Sequence, residues 1–196
     1  FIEEYEKLQD EKEEDSTVLF MDGVHPQHNA KPAYGWIETG KNKELMSNTG
    51  RQRVNINGAI DLDTLKVIYR EDESINALST IELFKEIELK YCEKSKIYIF
   101  CDNARYYRSK LVQEYLRTSK IELRFLPPYS PNLNLIERLW RFMHKKTTYN
   151  QYYEKFSEFR CALLEFFDNI VNYADELKTL LIQKFYIIKN SQTQCA

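Results

Sequence analysis

Lys96-Ile97-Tyr98-Ile99-Phe100-Cys101-Asp102 is the stretch on which the reading of this chain turns. It is short, rich in β-branched and aromatic residues and bounded by charge, which predicts a buried strand that delivers a carboxylate at its end. Thr17-Val18-Leu19-Phe20-Met21 has the same form and runs into Asp22-Gly23. If the two strands are neighbours, both carboxylates lie beside one core, within reach of a shared ion.

Between them a loop containing Gly, Pro and Asn leads to Tyr34-Gly35-Trp36-Ile37, an expected short strand. The segments Arg53–Ile60 and Leu65–Tyr69 are rich in β-formers, and the short linker Asp61-Leu62-Asp63-Thr64 makes them a hairpin. Ser79-Thr80 is expected to cap an amphipathic helix, because Ile81, Leu83, Phe84 and Ile87 recur at helical spacing. A helix near Ser109 to Arg117 and a strand over Ile121–Leu126 follow Asp102, and Pro127-Pro128-Tyr129-Ser130-Pro131 stops that strand. Leu135, Ile136, Leu139, Trp140 and Met143 then form one apolar helix face, with Glu137, Arg141, His144 and Lys145 opposite or flanking it. Two more helical patterns run from Tyr152 to about Lys189, and the last few residues look frayed. The fold class is α/β (mixed α+β): a central mixed five-stranded sheet flanked by helices, with a C-terminal helical extension.

A chain of 196 residues suits one domain, and 43% hydrophobic with 14% aromatic residues excludes a disordered polymer. No stretch approaches the ~20 consecutive apolar residues of a membrane span, and the acidic opening Phe1-Ile2-Glu3-Glu4 does not resemble a signal peptide. No membrane partner is expected. Cys92, Cys101, Cys161 and Cys195 are too scattered for a structural zinc site, so free thiols in a reducing compartment are the default. With 28 Lys and Arg against 30 Asp and Glu, total charge decides nothing about nucleic acid; the local distribution must.

Glu137, near the start of the helix after the prolines, is the third acid. Three crowded carboxylates repel one another, and a pair of Mg²⁺ or Mn²⁺ ions relieves that repulsion while serving phosphoryl chemistry through hard oxygen ligands. Taken alone, the acids read more readily as ordinary structure than as a metal site. Aspartate at a strand end is a common turn former, and Glu137 with Arg141 is a routine helix-surface pair.

The neighbouring residues decide between these readings. Asp102-Asn103-Ala104-Arg105 and the block Leu126-Pro127-Pro128-Tyr129-Ser130-Pro131-Asn132-Leu133-Asn134-Leu135-Ile136-Glu137-Arg138-Leu139-Trp140 closely resemble the catalytic core of mariner-superfamily DDE transposases, nearest to the bacterial insertion-sequence 630 branch. The 34 residues between Asp102 and Glu137 match the spacing of that family, and Phe20–Pro26, Gly35-Trp36 and Arg53–Gly58 occur in the same order upstream. The resemblance covers roughly residues 17 to 170. It implies a ribonuclease H-like fold with Asp22, Asp102 and Glu137 as catalytic, metal-binding triad, a pair of Mg²⁺ ions (Mn²⁺ as substitute) as cofactor, and double-stranded DNA as partner. It also implies hydrolysis at transposon ends, then attack of the freed 3′-hydroxyl on target DNA, at TA in the family, by proteins that commonly act as dimers. Tyr107 stands where many relatives carry histidine, and Gly23 where many carry glutamate.

The resemblance further divides the chain into residues 1–16, the end of a connector helix from a DNA-binding region upstream, 17–149, the catalytic domain, and 150–190, a helical extension packed on that domain. Family members carry helix-turn-helix units ahead of the catalytic domain, and none is readable here, so specific end binding by this chain alone is not expected. Arg105, Arg108, Lys110, Arg138, Arg141 and Lys145 are candidate phosphate contacts, with a solvated helix face as the alternative. His25, Asn103 and Pro128 are candidate supporting residues; for His25 and His28, loop packing is the competing role, and Pro127 and Pro128 are expected to aim Glu137. Tyr106, Tyr107, Tyr129, Tyr152 and Tyr153 are stacking candidates whose competing role is packing. The expected location is the bacterial cytoplasm at the nucleoid, or the nucleus for a eukaryotic source. Rival readings are another ribonuclease H-like nuclease, a decayed copy that binds without catalysis, and an interaction domain with no nucleic-acid role.

Overall fold

Val18 and Phe20 face one side of the central sheet, and Leu19 and Met21 the other, as strand periodicity requires. Both sides are covered, which is why the run reads as continuously apolar. The computed structural model describes residues 1–33, 38–42, 44–128 and 130–181; the strand expected at 34–37, Tyr129, and the helical pattern and fraying expected beyond residue 181 lie outside these residues.

Five strands form one sheet in the order β3-β2-β1-β4-β5. They are β1 (Ser16–Val24), β2 (Asn55–Asp61), β3 (Val67–Asp72), β4 (Lys96–Cys101) and β5 (Ile121–Phe125). The hairpin β2–β3 joins β1 antiparallel, whereas β4 and β5 run parallel to β1. On one face lie α2 (Ala77–Lys90) and α3 (Lys110–Leu116), where Leu83, Phe84, Ile87 and Val112 meet Leu19, Met21, Ile97 and Ile99. On the other lie α1 (Ile2–Glu11), α4 (Ile136–Thr147), α5 (Phe156–Asp168) and α6 (Ala174–Leu180). Leu139, Trp140, Met143, Phe159, Leu163, Phe167 and Leu177 share a core there with Phe20, Ile56, Ile60 and Phe100. Among the described residues no helix is long and apolar enough to cross a membrane.

Three local expectations need correction. β1 does not stop before Asp22 but runs to Val24, because β2 goes on pairing with it (Asp22↔Gly58, Gly23↔Asn57, Val24↔Ile56) after its last pair with β4, Phe20↔Phe100. The cap of α2 is Asn76 rather than Ser79-Thr80: Asn76 Oδ1 accepts from the amides of Leu78 and Ser79, and Ser79 Oγ accepts from the Asn76 amide. An asparagine accepts at a helix start at least as well as serine, so the helix begins one turn earlier. The hairpin strands are also displaced toward the C-terminus. Asp61 closes β2 by accepting from the amides of Asp63 and Thr64, which makes residues 62–66 the turn.

Candidate active site

The register of β1 on β4 places Phe20 against Phe100, and their rings stack with centroids 5.3 Å apart. Two residues further along each chain, on the same face, come Asp22 and Asp102. A carboxylate two positions beyond a core aromatic points the same way as that aromatic, so the sheet turns both acids toward the side on which α4 docks. Pro127 and Pro128 end β5, a single tight turn at Pro131–Leu133 reverses the chain, and Glu137 enters in the first turn of α4. The three acids line one cleft of about 440 Å³, with Asn103, Pro128 and Asn134 among its walls.

Electrostatics single out Asp22. Burial first, then the neighbouring Glu137 charge, pushes its carboxyl up to about 7; Asp102 adds to the rise, while the Gly23 amide and the Trp140 indole oppose it. Burial likewise raises Glu137, with Arg141 pulling against it and Asp102 reinforcing it. Asp102 is exposed at the mouth, and its Oδ1 accepts from the Ala104 amide at 3.0 Å. The donor set is hard oxygen throughout, which suits Mg²⁺ or Mn²⁺ and not softer metals. Among the described residues no three His, Cys, Asp or Glu side chains converge on a single point.

Asn103 lines the cleft as a tie rather than a free group. Its Nδ2 donates to the Leu126 carbonyl at 2.6 Å, and its Oδ1 accepts from Arg108 at 2.6 Å. Arg108 also lies over the Phe125 ring at 3.8 Å, so its guanidinium is engaged in holding the loop after β4 against the end of β5. Arg138 reaches the Leu180 carbonyl at 3.4 Å on the α6 side. Arg105, Lys110, Arg141 and Lys145 are exposed and form no ion pair among the described residues. His25 is not part of the cleft lining; its Nδ1 meets Asn55 Oδ1 at 2.8 Å. His28 is buried against Phe156 and Phe159 and bonds the Tyr153 carbonyl, so it packs the loop onto α5. Tyr107 is fully buried and cannot stack on a base as it stands.

Residues 17–160 match the family model described as DDE superfamily endonuclease. The chain belongs to that family. It is 28% identical over 145 residues to the "Insertion element IS630 uncharacterized 39 kDa protein" of Shigella sonnei, a match spanning 74% of this chain and 42% of that protein. Among solved structures it resembles the Mos1 mariner paired-end complex with Mn (TM-score 0.67, 18% identity, 91% of this chain and 56% of that one). It also resembles the catalytic domain of Mos1 mariner transposase (TM-score 0.58, 14% identity, 93% and 89%). These likenesses show a ribonuclease H-like fold, and the chain spans less than half the length of its IS630 relative.

Sequence reasoning passed over two DDE-block residues as mere helix and loop. Asn134 is buried and donates from Nδ2 to the Met21 carbonyl at 3.2 Å, and Trp140 donates from its indole nitrogen to Asp22 Oδ2 at 3.3 Å. The available signals were an asparagine three residues before Glu137, in the segment leading into α4, and a tryptophan three residues after it on the buried face of that helix.

Proposed function

We propose that this chain is the catalytic domain of a DNA transposase that hydrolyses phosphodiesters at transposon ends and joins the freed 3′-hydroxyl to target DNA. The observation that carries the reading is the meeting of Asp22, Asp102 and Glu137 on one cleft from β1, β4 and α4. Asp22, Asp102 and Glu137 would hold the cation, and Asp22, buried and raised by the other two acids, would gain most from its charge. Mg²⁺ or Mn²⁺ is the cofactor this set fits, and the Mos1 relative was solved with Mn. When bound, a pair of such ions activates the attacking water or 3′-hydroxyl and stabilises the leaving oxygen.

In the first reaction water attacks phosphorus and the P–O3′ bond breaks, leaving a 3′-hydroxyl; in the second that hydroxyl attacks a target phosphorus and displaces a 3′-oxygen. The chain's own part is placement. Pro127 and Pro128 fix the approach to α4, and Asn103 with Arg108 keeps the Asp102 loop against β5. Arg105, Lys110 and Lys145, with Arg141, whose Nε also donates to the Glu137 carbonyl at 3.4 Å, are exposed cations available for DNA phosphates. A TA target, a dimer across paired ends and α1 as the end of a connector belong to the same reading.

The test is Mn²⁺-dependent nicking and joining of a labelled precut duplex by this chain and by its Asp102→Asn variant. Metal-dependent products abolished by the substitution support the triad, and joined products single out a transposase. Hydrolysis without joining favours a plain nuclease; activity that survives Asp102→Asn rejects the triad.

A further inference from the structure

Trp140 is 2% exposed and stands on the apolar face of α4, one turn past Glu137. Filling the core does not account for all of its contacts, because its indole N–H donates to Asp22 Oδ2 at 3.3 Å. The ring reaches that carboxylate through a slot in the sheet. Gly58 on β2 is the direct partner of Asp22, and a Cβ added at Gly58 would stand 2.9 Å from Trp140 Cη2 and 3.3 Å from the Ile68 carbonyl. The segment leading into the helix grips the preceding residue as well: Asn134 donates to the Met21 carbonyl, and its own carbonyl accepts the Glu137 amide at 3.1 Å. One stretch, residues 134–140, therefore carries Glu137 and also holds the backbone and the carboxylate of the acid opposite.

We infer that Trp140 is a positioning residue for Asp22, fixing the plane in which its carboxylate meets a divalent cation, with Gly58 as the slot that admits the indole. The inference rests on the metal-binding reading of the cleft. Groups that orient a metal ligand from behind change metal affinity by about 10–100-fold when removed. Phenylalanine keeps an aromatic ring at this position and lacks the N–H, so Trp140→Phe separates orientation from packing.

The experiment titrates Mn²⁺, followed by its electron paramagnetic resonance signal, into the wild-type chain and the Asp102→Asn, Trp140→Phe and Gly58→Ala variants. A second readout follows the Trp140 indole ¹H–¹⁵N cross-peak, assigned with Trp36→Phe, as Mg²⁺ is added. The expected result is a cooperatively melting Trp140→Phe protein that binds Mn²⁺ about 10–100-fold more weakly than wild type. Gly58→Ala, which forces the ring aside, shows a comparable loss and adds nothing to it in the double variant. The wild-type indole peak shifts on Mg²⁺ binding. Unchanged Mn²⁺ affinity in Trp140→Phe, or an indole peak that stays still while the ion binds, overturns the positioning role. Failure of the underlying reading looks different: wild type binds no Mn²⁺, or Asp102→Asn binds it equally well. If Trp140→Phe does not fold, the wild-type indole shift decides alone.

Discussion

Asp61 and Asp22 belong to the same strand pairing, with Asp61 opposite Leu19 and Asp22 opposite Gly58, and the protein treats them in opposite ways. Asp61 is 1% exposed and accepts from four donors: the Thr17 hydroxyl at 3.2 Å, the Tyr91 hydroxyl at 2.8 Å, and the amides of Asp63 and Thr64 at 2.8 and 3.1 Å. Among the described residues Asp22 has only the Gly23 amide and the Trp140 indole, the latter at 3.3 Å, as donors, and it faces two other carboxylates. A buried charge surrounded by donors is a structural fastening. One left short of donors beside like charges stabilises nothing by itself, and is intelligible where a cation completes it.

That contrast can be broken from either side. The largest effect is expected at the crowded end: Glu137→Gln lowers Mn²⁺-dependent cleavage by at least on the order of 10³-fold, measured on a labelled duplex, while the melting curve stays cooperative. At the satisfied end, Asp61→Ala leaves two hydroxyls and two amides without their acceptor. Urea denaturation should show a loss of about 3 kcal/mol with no loss of Mn²⁺ affinity.

His144 sharpens the comparison on the far half of α4. Its Nε2 faces Lys31 Nζ at 3.5 Å and its Nδ1 bonds Thr148 Oγ1 at 2.9 Å; an ammonium can only donate, so Nδ1 carries the ring proton. Burial, aided by Lys31, pulls its pKa from 6.5 down to about 4. The unfolded chain therefore takes up this proton first as pH falls. Its contribution to stability is complete above about pH 6.5 and is lost progressively toward pH 4. His144→Gln should remove a pH-dependent component on the order of 2 kcal/mol, allowing for the ring's partial exposure, seen in melts across that range. The smallest effect carries the most telling sign. In the absence of divalent ions Asp22→Asn should stabilise the chain, by about 1 kcal/mol, where the Asp61 substitution destabilises it.

Much of the fold was legible because its strands advertise themselves. Continuous apolar runs at Val18–Met21 and Ile97–Cys101 can only be strands covered on both faces or buried helix segments, and their shortness selects strands. The proline block could end a strand and little else. The boundaries that slipped were those set by partners rather than by local sequence: Asp22 is drawn into β1 because β2 is still pairing with it, and Asn76 caps α2 because the chain leaving β3 brings it there.

The sequence by itself determined which residues carry charge at the ends of the apolar strands, the spacing of the block around Glu137 and, through that block, membership in the DDE family. What only the tertiary structure decided is which of these residues share a space. The parallel register of β1 on β4 sets Asp22 beside Asp102 and the docking of α4 adds Glu137, whereas His25 is taken by Asn55 at the start of β2 and Arg108 by Asn103 in the loop after β4. Trp140 shows the physical reason. Helical periodicity records that a residue faces the core, but a hydrogen bond to Asp22 through the gap at Gly58 depends on two strands and a helix meeting from distant parts of the chain.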